Sequence, residues 1–401
     1  MLGEPFTKAR NVIQTLEDNG YEAYFVGGSV RDYLLDVPIG DIDIATNAKP
    51  DEMLSLFERT VPVGIEHGTV LILDDEHEFE VTTYRVEGDY DDFRHPDSVE
   101  FVRDITLDLS RRDFTINAMA MSLDGDIIDP HGGQEHLLQK EIHTVGQPKD
   151  RFTEDALRML RAVRFASQLN FEIAHDVNEA IKDYGSLINH VAVERIQVEL
   201  FKMFKGVGLK QGLYSLKATQ LYKSLPLFKE EHSLLTRLNE TVKNPIPFEN
   251  VMIATFCLLS KDYDLNDWVK AYKLSNKLKR ESMHVLNCYD EYKRNGINEA
   301  LVYHLKQDYI VDFVEIVFIV DQVKIETSEL ITLFEQLPIK SRSDLAVTGH
   351  DIMSMFPNER KGPWIGEYLS KIEQLVLQSK LKNNRTEIES QVKRWKEQES
   401  N

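Results

Sequence analysis

The sequence predicts an α+β fold, in which a mixed sheet with helices is followed by an all-helical remainder. Short apolar runs alternate with helical patterns up to about residue 140, whereas beyond residue 149 strand patterns nearly vanish. A chain of 401 residues, 42% of them hydrophobic, is long enough for several cores. We therefore expect four consecutive parts: a head (1–140), a neck (141–215), a body (216–335) and a tail (336–401).

The first element is a short buried strand over residues 22–26, which runs into Gly27–Gly28. Two glycines let the backbone turn sharply and approach a phosphate closely, because neither carries a Cβ. Ser29 suits the N-cap of a helix over 30–35. This arrangement would place helix amides and Arg31 where a triphosphate binds.

The next strand carries two aspartates, Asp41 and Asp43. Side chains two residues apart on a strand share a face, so both carboxylates point the same way. Such a pair favours a cation between its members, and oxygen ligands suit Mg²⁺. Taken alone, this pattern is common on solvated strand edges, but the glycine turn ahead of it favours a two-metal nucleotidyl-transfer site.

A hairpin is predicted next, with a strand over 68–73 pairing with one over 78–84. Glu80 lies on its second strand and is a candidate third metal ligand. The alternative for Glu80 is an ordinary glutamate that faces solvent.

A second motif occupies Arg111–Ala118, which we predict to be helical. Asp113 and Asn117 would then share a face at i and i+4 and could bond ribose hydroxyls. Arg112 could bind phosphate through both arms of its guanidinium. The alternative is an arginine pair on a solvated surface.

The third motif is Glu154–Phe165, a strongly helical pattern in which Asp155, Arg158, Arg161 and Arg164 follow one another at steps of three. On a single helix the first three form one slanting polar stripe. Arginine donates to ring nitrogens and carbonyls, and a carboxylate accepts from an exocyclic amine, which cytosine and adenine both carry. The motif is therefore predicted to recognise a base, although a ladder of salt bridges on a solvated helix shows the same spacing.

The three motifs, in this order, resemble those of the bacterial class II CCA-adding enzymes, which are tRNA nucleotidyltransferases of the DNA polymerase beta superfamily. The resemblance implies a polymerase-beta-like head and template-independent addition and repair of the 3′-terminal CCA of tRNA, with CTP and ATP as substrates and Mg²⁺ as cofactor. It also implies that Asp41 and Asp43 are catalytic metal ligands. The nucleotide-binding residues that it implies are Gly28, Arg31, Arg112, Asp155, Arg158, Arg161 and Arg164.

Other segments fit the same resemblance. Asp129–Gly133 and Ile142–Gly146 resemble the family's hinge between head and neck. Residues 88–97 resemble the loop used in switching from CTP to ATP, which favours full CCA addition, although an acidic surface loop is the alternative. Asp344–Ile352 and Gly362–Glu367 resemble the C-terminal region, where lysines of the tail either contact tRNA or only solvate a helix.

The formal net charge of −20 does not exclude an RNA partner. Residues 1–150 carry 12 Lys and Arg against 32 Asp and Glu, whereas the remainder carries 35 of each. Three other functions stay open: a poly(A) polymerase or an enzyme that adds only C or only A, a nucleotidyltransferase for small molecules, and a tRNA-binding protein without catalysis.

The remaining features predict a cytoplasmic protein whose oligomeric state the sequence does not give. Cys257 and Cys288 lie in apolar helical surroundings, which is typical of buried thiols. The longest apolar run is far shorter than the ~20 residues that span a bilayer, and no signal-peptide pattern is present. The pairs His175–Asp176 and His350–Asp351 lack the wider set of ligands that metal chemistry needs, so we expect them to be structural.

Overall fold

A computed structural model describes residues 3–74, 76–88 and 98–399. The chain divides into two compact units. Unit 1 comprises Met1–Pro245 and Ala271–Lys273, and unit 2 comprises Ile246–Lys270 and Leu274–Asn401. The division into head, neck, body and tail stays a prediction.

Unit 1 contains the strands. Those of the head are β1 (Ala23–Val26), β2 (Asp43–Thr46), β3 (Thr60–Gly64), β4 (Thr69–Asp74), β5 (His77–Thr83), β6 (Arg85–Glu87), β7 (Val99–Phe101), β8 (Ala120–Met121) and β9 (Ile127–Ile128). Two further strands, β10 (Glu141–Ile142) and β11 (Glu172–Ile173), pair in parallel.

The main sheet has the order β3-β4-β5-β2-β1-β8-β9, and it is mixed because β2 and β5 are parallel whereas the other pairs are antiparallel. The predicted hairpin is confirmed as β4 and β5. The parallel register places Asp43 directly beside Glu80. β6 and β7 pair on either side of the predicted loop at 88–97, which apart from Gly88 lies outside the described residues.

Helices surround the sheet and then make up the rest of unit 1. They are α1 (Arg10–Asp18), α2 (Gly28–Leu34), α3 (Pro50–Leu56), α4 (Ile105–Ser110), α5 (Gly133–Gln139), α6 (Pro148–Glu154), α7 (Leu157–Leu169), α8 (His175–Tyr184), α9 (Val193–Phe204), α10 (Leu209–Ala218) and α11 (His232–Thr241). Buried apolar side chains of α7, among them Leu160 and Val163, form the core that α9 and α10 pack against.

The described residues of unit 2 contain helices and no strand. The helices of this part of the chain are α12 (Glu249–Leu259), α13 (Leu265–Tyr272), α14 (Asn276–Asn295), α15 (Glu299–Leu305), α16 (Ile310–Asp321), α17 (Thr327–Gln336), α18 (Gly349–Met355), α19 (Trp364–Leu377) and α20 (Arg385–Glu399). Together with the mixed sheet of unit 1, they confirm the predicted fold class.

Several side chains singled out in the sequence have structural roles here. Asp351 accepts from the backbone N–H and the hydroxyl of Thr348, closing a capping box at the start of α18. Cys257 and Cys288 are free, and burial raises the pKa of both thiols to about 12. Within the described ranges, no helix has the length and apolarity needed to cross a membrane.

Candidate active site

The turn between β1 and α2 brings the backbone against two predicted site residues. Gly27 has a φ of 73°, a conformation that residues with a Cβ rarely adopt. A Cβ at this position would lie 3.1 Å from Nη1 of Arg112 and 3.6 Å from Oδ2 of Asp43. Gly27 therefore lets α2 begin immediately beside a guanidinium and a carboxylate.

Ser29 does not cap α2, so this prediction was wrong. The helix begins one residue earlier, at Gly28, and its N-cap is Gly27. Ser29 lies buried inside the first turn, where its hydroxyl donates to the backbone oxygen of Val26 at 3.0 Å. The positive φ at the cap favours glycine, which is why the helix starts there.

Asp41 and Asp43 lie at the N-terminal end of β2 with exposed side chains. The strand begins at Asp43, so Asp41 precedes it rather than belonging to it. Local desolvation raises the pKa of Asp43; Arg112 opposes this rise, and the charges of Glu80 and Asp41 add to it. Carboxylates that repel one another in this way suit a bound cation.

Glu80 lies beside Asp43 on the neighbouring strand and is exposed. In the part of the chain that the structure describes, no group of three His, Cys, Asp or Glu side chains is placed to hold a metal ion. The pair of aspartates is therefore the donor set that the described residues offer, with Glu80 adjacent to it.

The segment after α4 is not the helix that its spacing predicts. α4 ends at Ser110, and only a 3₁₀ turn, Thr115–Asn117, follows. Phe114 is extended and forms a bridge with Thr144, and the backbone oxygen of Asp113 accepts from the same distant segment. These long-range backbone bonds replace the i to i+4 bonds of a helix.

Asp113 and Asn117 nevertheless meet, and each holds an arginine. The Asn117 amide donates to Oδ1 of Asp113 at 3.5 Å, and its oxygen accepts from Nη1 of Arg31 at 2.6 Å. Oδ2 of Asp113 accepts from Nε and Nη2 of Arg161 at 2.8 Å and 2.6 Å. Burial alone would raise the pKa of Asp113, but Arg161 and Arg158 lower it to about 2. Both side chains thus bind protein groups where the sequence suggested ribose.

The third motif contains two helices rather than the predicted one. α6 ends at Glu154 and α7 begins at Leu157, with Asp155 extended between them at φ −134° and ψ 105°. The Asp155 carboxylate accepts from the N–H of Leu157 at 3.0 Å and from Nη2 of Arg195 at 2.7 Å. The break occurs here because the carboxylate satisfies an N–H in the first turn of α7.

The arginines of α7 are held by carboxylates of two other helices. Arg158 pairs with Glu154 on α6. Glu199 on α9 accepts from Nε of Arg164 at 2.8 Å and lies 3.4 Å from Nη1 of Arg161. These ion pairs fix the side chains that the sequence placed on one polar stripe.

One cavity of unit 1, about 670 Å³ in volume, brings the predicted residues together. It is lined by all of them: Gly28, Arg31, Asp41, Asp43, Arg112, Asp155, Arg158, Arg161 and Arg164. Its walls carry eight basic and four acidic side chains. The cavity is therefore cationic, although the chain as a whole is strongly acidic.

Sequence reasoning missed three residues that line the cavity and one that supports it. Arg195, Lys202 and Phe165 line it, and the ring of Phe165 lies 3.4 Å from the guanidinium of Arg164. Glu199 supports the arginines from α9. Arg195 and Glu199 stand at i and i+4, a spacing that is equally typical of a surface ion pair, so the sequence held no signal for their long-range partners.

Three family models match the chain. The model of the poly A polymerase head domain matches residues 23–143, and that of the probable RNA- and SrmB-binding site of polymerase A matches residues 170–231. The model described as tRNA nucleotidyltransferase domain 2, putative, matches residues 248–392.

Full-length relatives have one description in common. The chain is 43% identical to a CCA-adding enzyme of Oceanobacillus iheyensis over 98% of both chains. It is 42% identical to a CCA-adding enzyme of Bacillus cytotoxicus, over 96% of this chain and 97% of the relative.

Solved structures have the same fold. The Bacillus stearothermophilus CCA-adding enzyme in complex with CTP superposes with a TM-score of 0.91 at 34% identity, covering 100% of this chain and 99% of the other. The Thermotoga maritima CCA-adding enzyme complexed with tRNA is similar in fold, with a TM-score of 0.61 at 21% identity over 98% of this chain and 95% of the other.

Proposed function

The chain belongs to the family of CCA-adding enzymes, and we propose that it adds and repairs the 3′-terminal CCA of tRNA, using CTP and ATP without a nucleic-acid template. The observation that carries this proposal is the single cavity, in which the aspartate pair lies together with the arginines and with Asp155. Transfer chemistry and base choice would thus take place in one site.

The chemistry that we propose is an in-line displacement. The oxygen of the tRNA 3′ hydroxyl forms a bond to the α-phosphorus of the nucleotide, the bond from that phosphorus to the bridging oxygen breaks, and pyrophosphate leaves with its electron pair. Members of this family generally use a divalent metal. We propose Mg²⁺, held by Asp41 and Asp43, which when bound supplies activation of the hydroxyl and neutralises charge on the leaving group. Glu80, beside Asp43, is the candidate third ligand.

Arg31, Arg112 and the turn at Gly27–Gly28 are proposed to hold the triphosphate. Arg31 is oriented by Asn117 and by Asp32, whose Oδ1 accepts from its Nε at 2.9 Å. An arginine held from behind meets phosphate with less loss of side-chain entropy. The glycine turn leaves the start of α2 open to the ligand.

Asp155 and Arg158 are proposed to select the base, with Arg161 and Arg164 beside the nucleotide. Arg195 and the N–H of Leu157 occupy part of the Asp155 carboxylate, and its remaining lone pairs can accept from the exocyclic amine of cytosine or adenine. Arg158 donates to the backbone oxygen of Arg111 at 3.3 Å and to Glu154. Donors left on its guanidinium can meet a ring nitrogen or carbonyl.

The test is to incubate the protein and Mg²⁺ with tRNA that lacks its 3′ end, with CTP, ATP or both, and to determine the product ends at single-nucleotide resolution. We expect two additions with CTP alone and a third only with both nucleotides. Asp41→Ala, which removes a metal ligand, should lower incorporation by about 10³-fold or more while tRNA affinity stays unchanged.

A poly(A) polymerase is the second candidate, because the head matches a family model with that description. It would give a ladder of products with ATP alone. Binding of tRNA without any extension would instead indicate a non-catalytic tRNA-binding protein and would contradict the proposal.

A further inference from the structure

We propose that Asp108 is a positioning residue for the nucleotidyl transfer: it holds Arg112 in the orientation in which Arg112 meets the triphosphate. The inference rests on the proposed function, in which Arg112 binds the nucleotide. Asp108 itself does not line the cavity.

Asp108 lies on α4 with only 1% of its surface exposed. Its Oδ1 accepts from Nε and Nη2 of Arg111 at 3.0 Å and 2.8 Å, and from the backbone N–H of Arg85 at 3.3 Å. Its Oδ2 lies 3.4 Å from Nη2 of Arg112. Both oxygens of this buried carboxylate are therefore engaged, and one of them is directed to the cavity arginine.

Arg112 has few other contacts that would fix its plane. Its Nη1 donates to the backbone oxygen of Asn117 at 3.4 Å. Its Nε is buried and has no hydrogen-bond partner among the described residues. Within those residues, Asp108 is also the one carboxylate within ion-pair distance of the guanidinium. Removing the Asp108 charge would leave a single backbone contact to orient Arg112.

Arg112 also lies where its orientation decides its reach. A Cβ at Gly27 would come within 3.1 Å of Nη1, so the guanidinium lies against the glycine turn that opens α2. A rotation of the guanidinium in one direction would bring it onto this turn, and in the other direction it would move away from the cavity. Asp108 holds it between these positions.

The surrounding charges leave a positive excess at the Arg112 end. Glu87 lies 3.0 Å from both Arg85 and Arg111, and Arg111 continues the chain to Asp108 and Arg112. These five residues comprise three cations and two carboxylates. Since Arg112 is the terminal member and lines the cavity, its excess charge faces the place where a triphosphate would bind.

A purely structural role for Asp108 makes a different prediction from a positioning role. A structural defect would weaken every nucleotide alike or reduce the active fraction, whereas a misoriented Arg112 weakens only those ligands that reach it through their outer phosphates. The comparison of CTP with CMP separates the two, because both have the same base and ribose.

The experiment is calorimetric binding of CTP and of CMP to the full chain carrying Asp108→Asn. We expect CTP affinity to fall about tenfold, a typical coupling for groups in contact, with CMP affinity within about twofold of the unsubstituted protein. Asp104→Asn is the matched control, because Asp104 caps the same helix at an exposed position and asparagine caps as well as aspartate. It should leave both affinities unchanged.

Arg112→Met completes a double-mutant cycle. If Asp108 acts through Arg112, Asp108→Asn adds less than about twofold to the loss of CTP affinity in the Arg112→Met background. Full additivity, or equal losses for CTP and CMP, would overturn the inference. No effect of Arg112→Met on CTP would overturn the phosphate role of Arg112 as well, whereas CCA addition to tRNA tests the proposed function separately.

Asp108→Glu replaces Asp108→Asn if circular dichroism shows that the latter does not fold. It keeps the charge but moves it by one methylene. We expect roughly threefold weaker CTP binding with CMP unchanged, and the same criterion of equal losses would overturn the proposal.

Discussion

Asp113 is a buried carboxylate, 9% exposed, whose charge is balanced inside the protein. Arg161 is its ion-pair partner, and the phenylalanine that follows in the chain donates its N–H to Oδ1 at 2.8 Å. The pKa of Asp113 is about 2 in the fold against an ordinary value of 3.8. A lowered pKa means that the ionised form stabilises the fold above pH 4 and that this stabilisation is lost as the pH falls from about 4 to about 2.

Asp113→Asn should therefore destabilise the protein at neutral pH and progressively less at acid pH. The shift corresponds to about 2 kcal/mol in the free energy of unfolding. Urea titrations of the variant and the unsubstituted protein between pH 6 and pH 3 measure the difference. A difference that stays constant across this range would contradict the assigned ion pair.

Helix α9 shows how one element supports the site from outside the three motifs. Its Glu199, 5% exposed, holds Arg164 and Arg161, and its Arg195 holds Asp155. The side chains that are proposed to contact the nucleotide thus depend on a helix with no recognisable signature.

Glu199→Gln should lower the stability of unit 1, because it leaves two arginines without their buried counter-charge. Breaking a buried pair in this way costs about 3 kcal/mol, which corresponds to a fall of about 10 °C in Tm. Glu194→Gln on the same helix is the control, since Glu194 is an exposed partner of Lys273. Equal Tm values for the two variants would show that Glu199 does not stabilise the arginines.

At the same scale, local patterns predicted the elements that depend on local bonds. The hairpin of β4 and β5 was predicted because alternation of apolar residues is a local signal. The helix expected over Arg111–Ala118 was wrong because its backbone bonds to residues near Thr144. The helix break at Asp155 was missed because it depends on a capping bond and on Arg195, 40 residues away.

For the whole molecule, the location of charge matters more than its sum. The chain has a net charge of −20, yet the cavity walls are basic. The nine site residues could be named from the sequence because they resemble a known family, and all nine line this cavity. Their supporting partners could not be named, since these follow only from the tertiary contacts of α4 and α9.

The tail, proposed here as a tRNA contact, offers a test at this scale. Lys380, Lys382 and Lys393 are exposed. Replacing all three with glutamine should weaken tRNA binding and lower the slope of log affinity against log salt by about one for each lysine that contacts a phosphate. The KM for CTP should not change.

Exposed lysines outside the tail provide the control for that experiment. Lys270, Lys277 and Lys324 are exposed, and their triple replacement with glutamine changes the net charge equally. Filter binding of tRNA at several salt concentrations compares the two triple variants. Equal slopes for both would mean that only overall charge matters and that the tail makes no specific contact.

The central claim is that one cavity both transfers the nucleotide and selects its base. The most direct test is kcat/KM for CTP and for UTP in the first addition to tRNA lacking its CCA, for the unsubstituted protein and for Asp155→Asn. Asparagine keeps an acceptor for the N–H of Leu157 but can offer an amide donor to uracil. We predict that the preference for CTP over UTP falls by about 10²-fold while addition continues; an unchanged preference with both rates reduced equally would contradict the account.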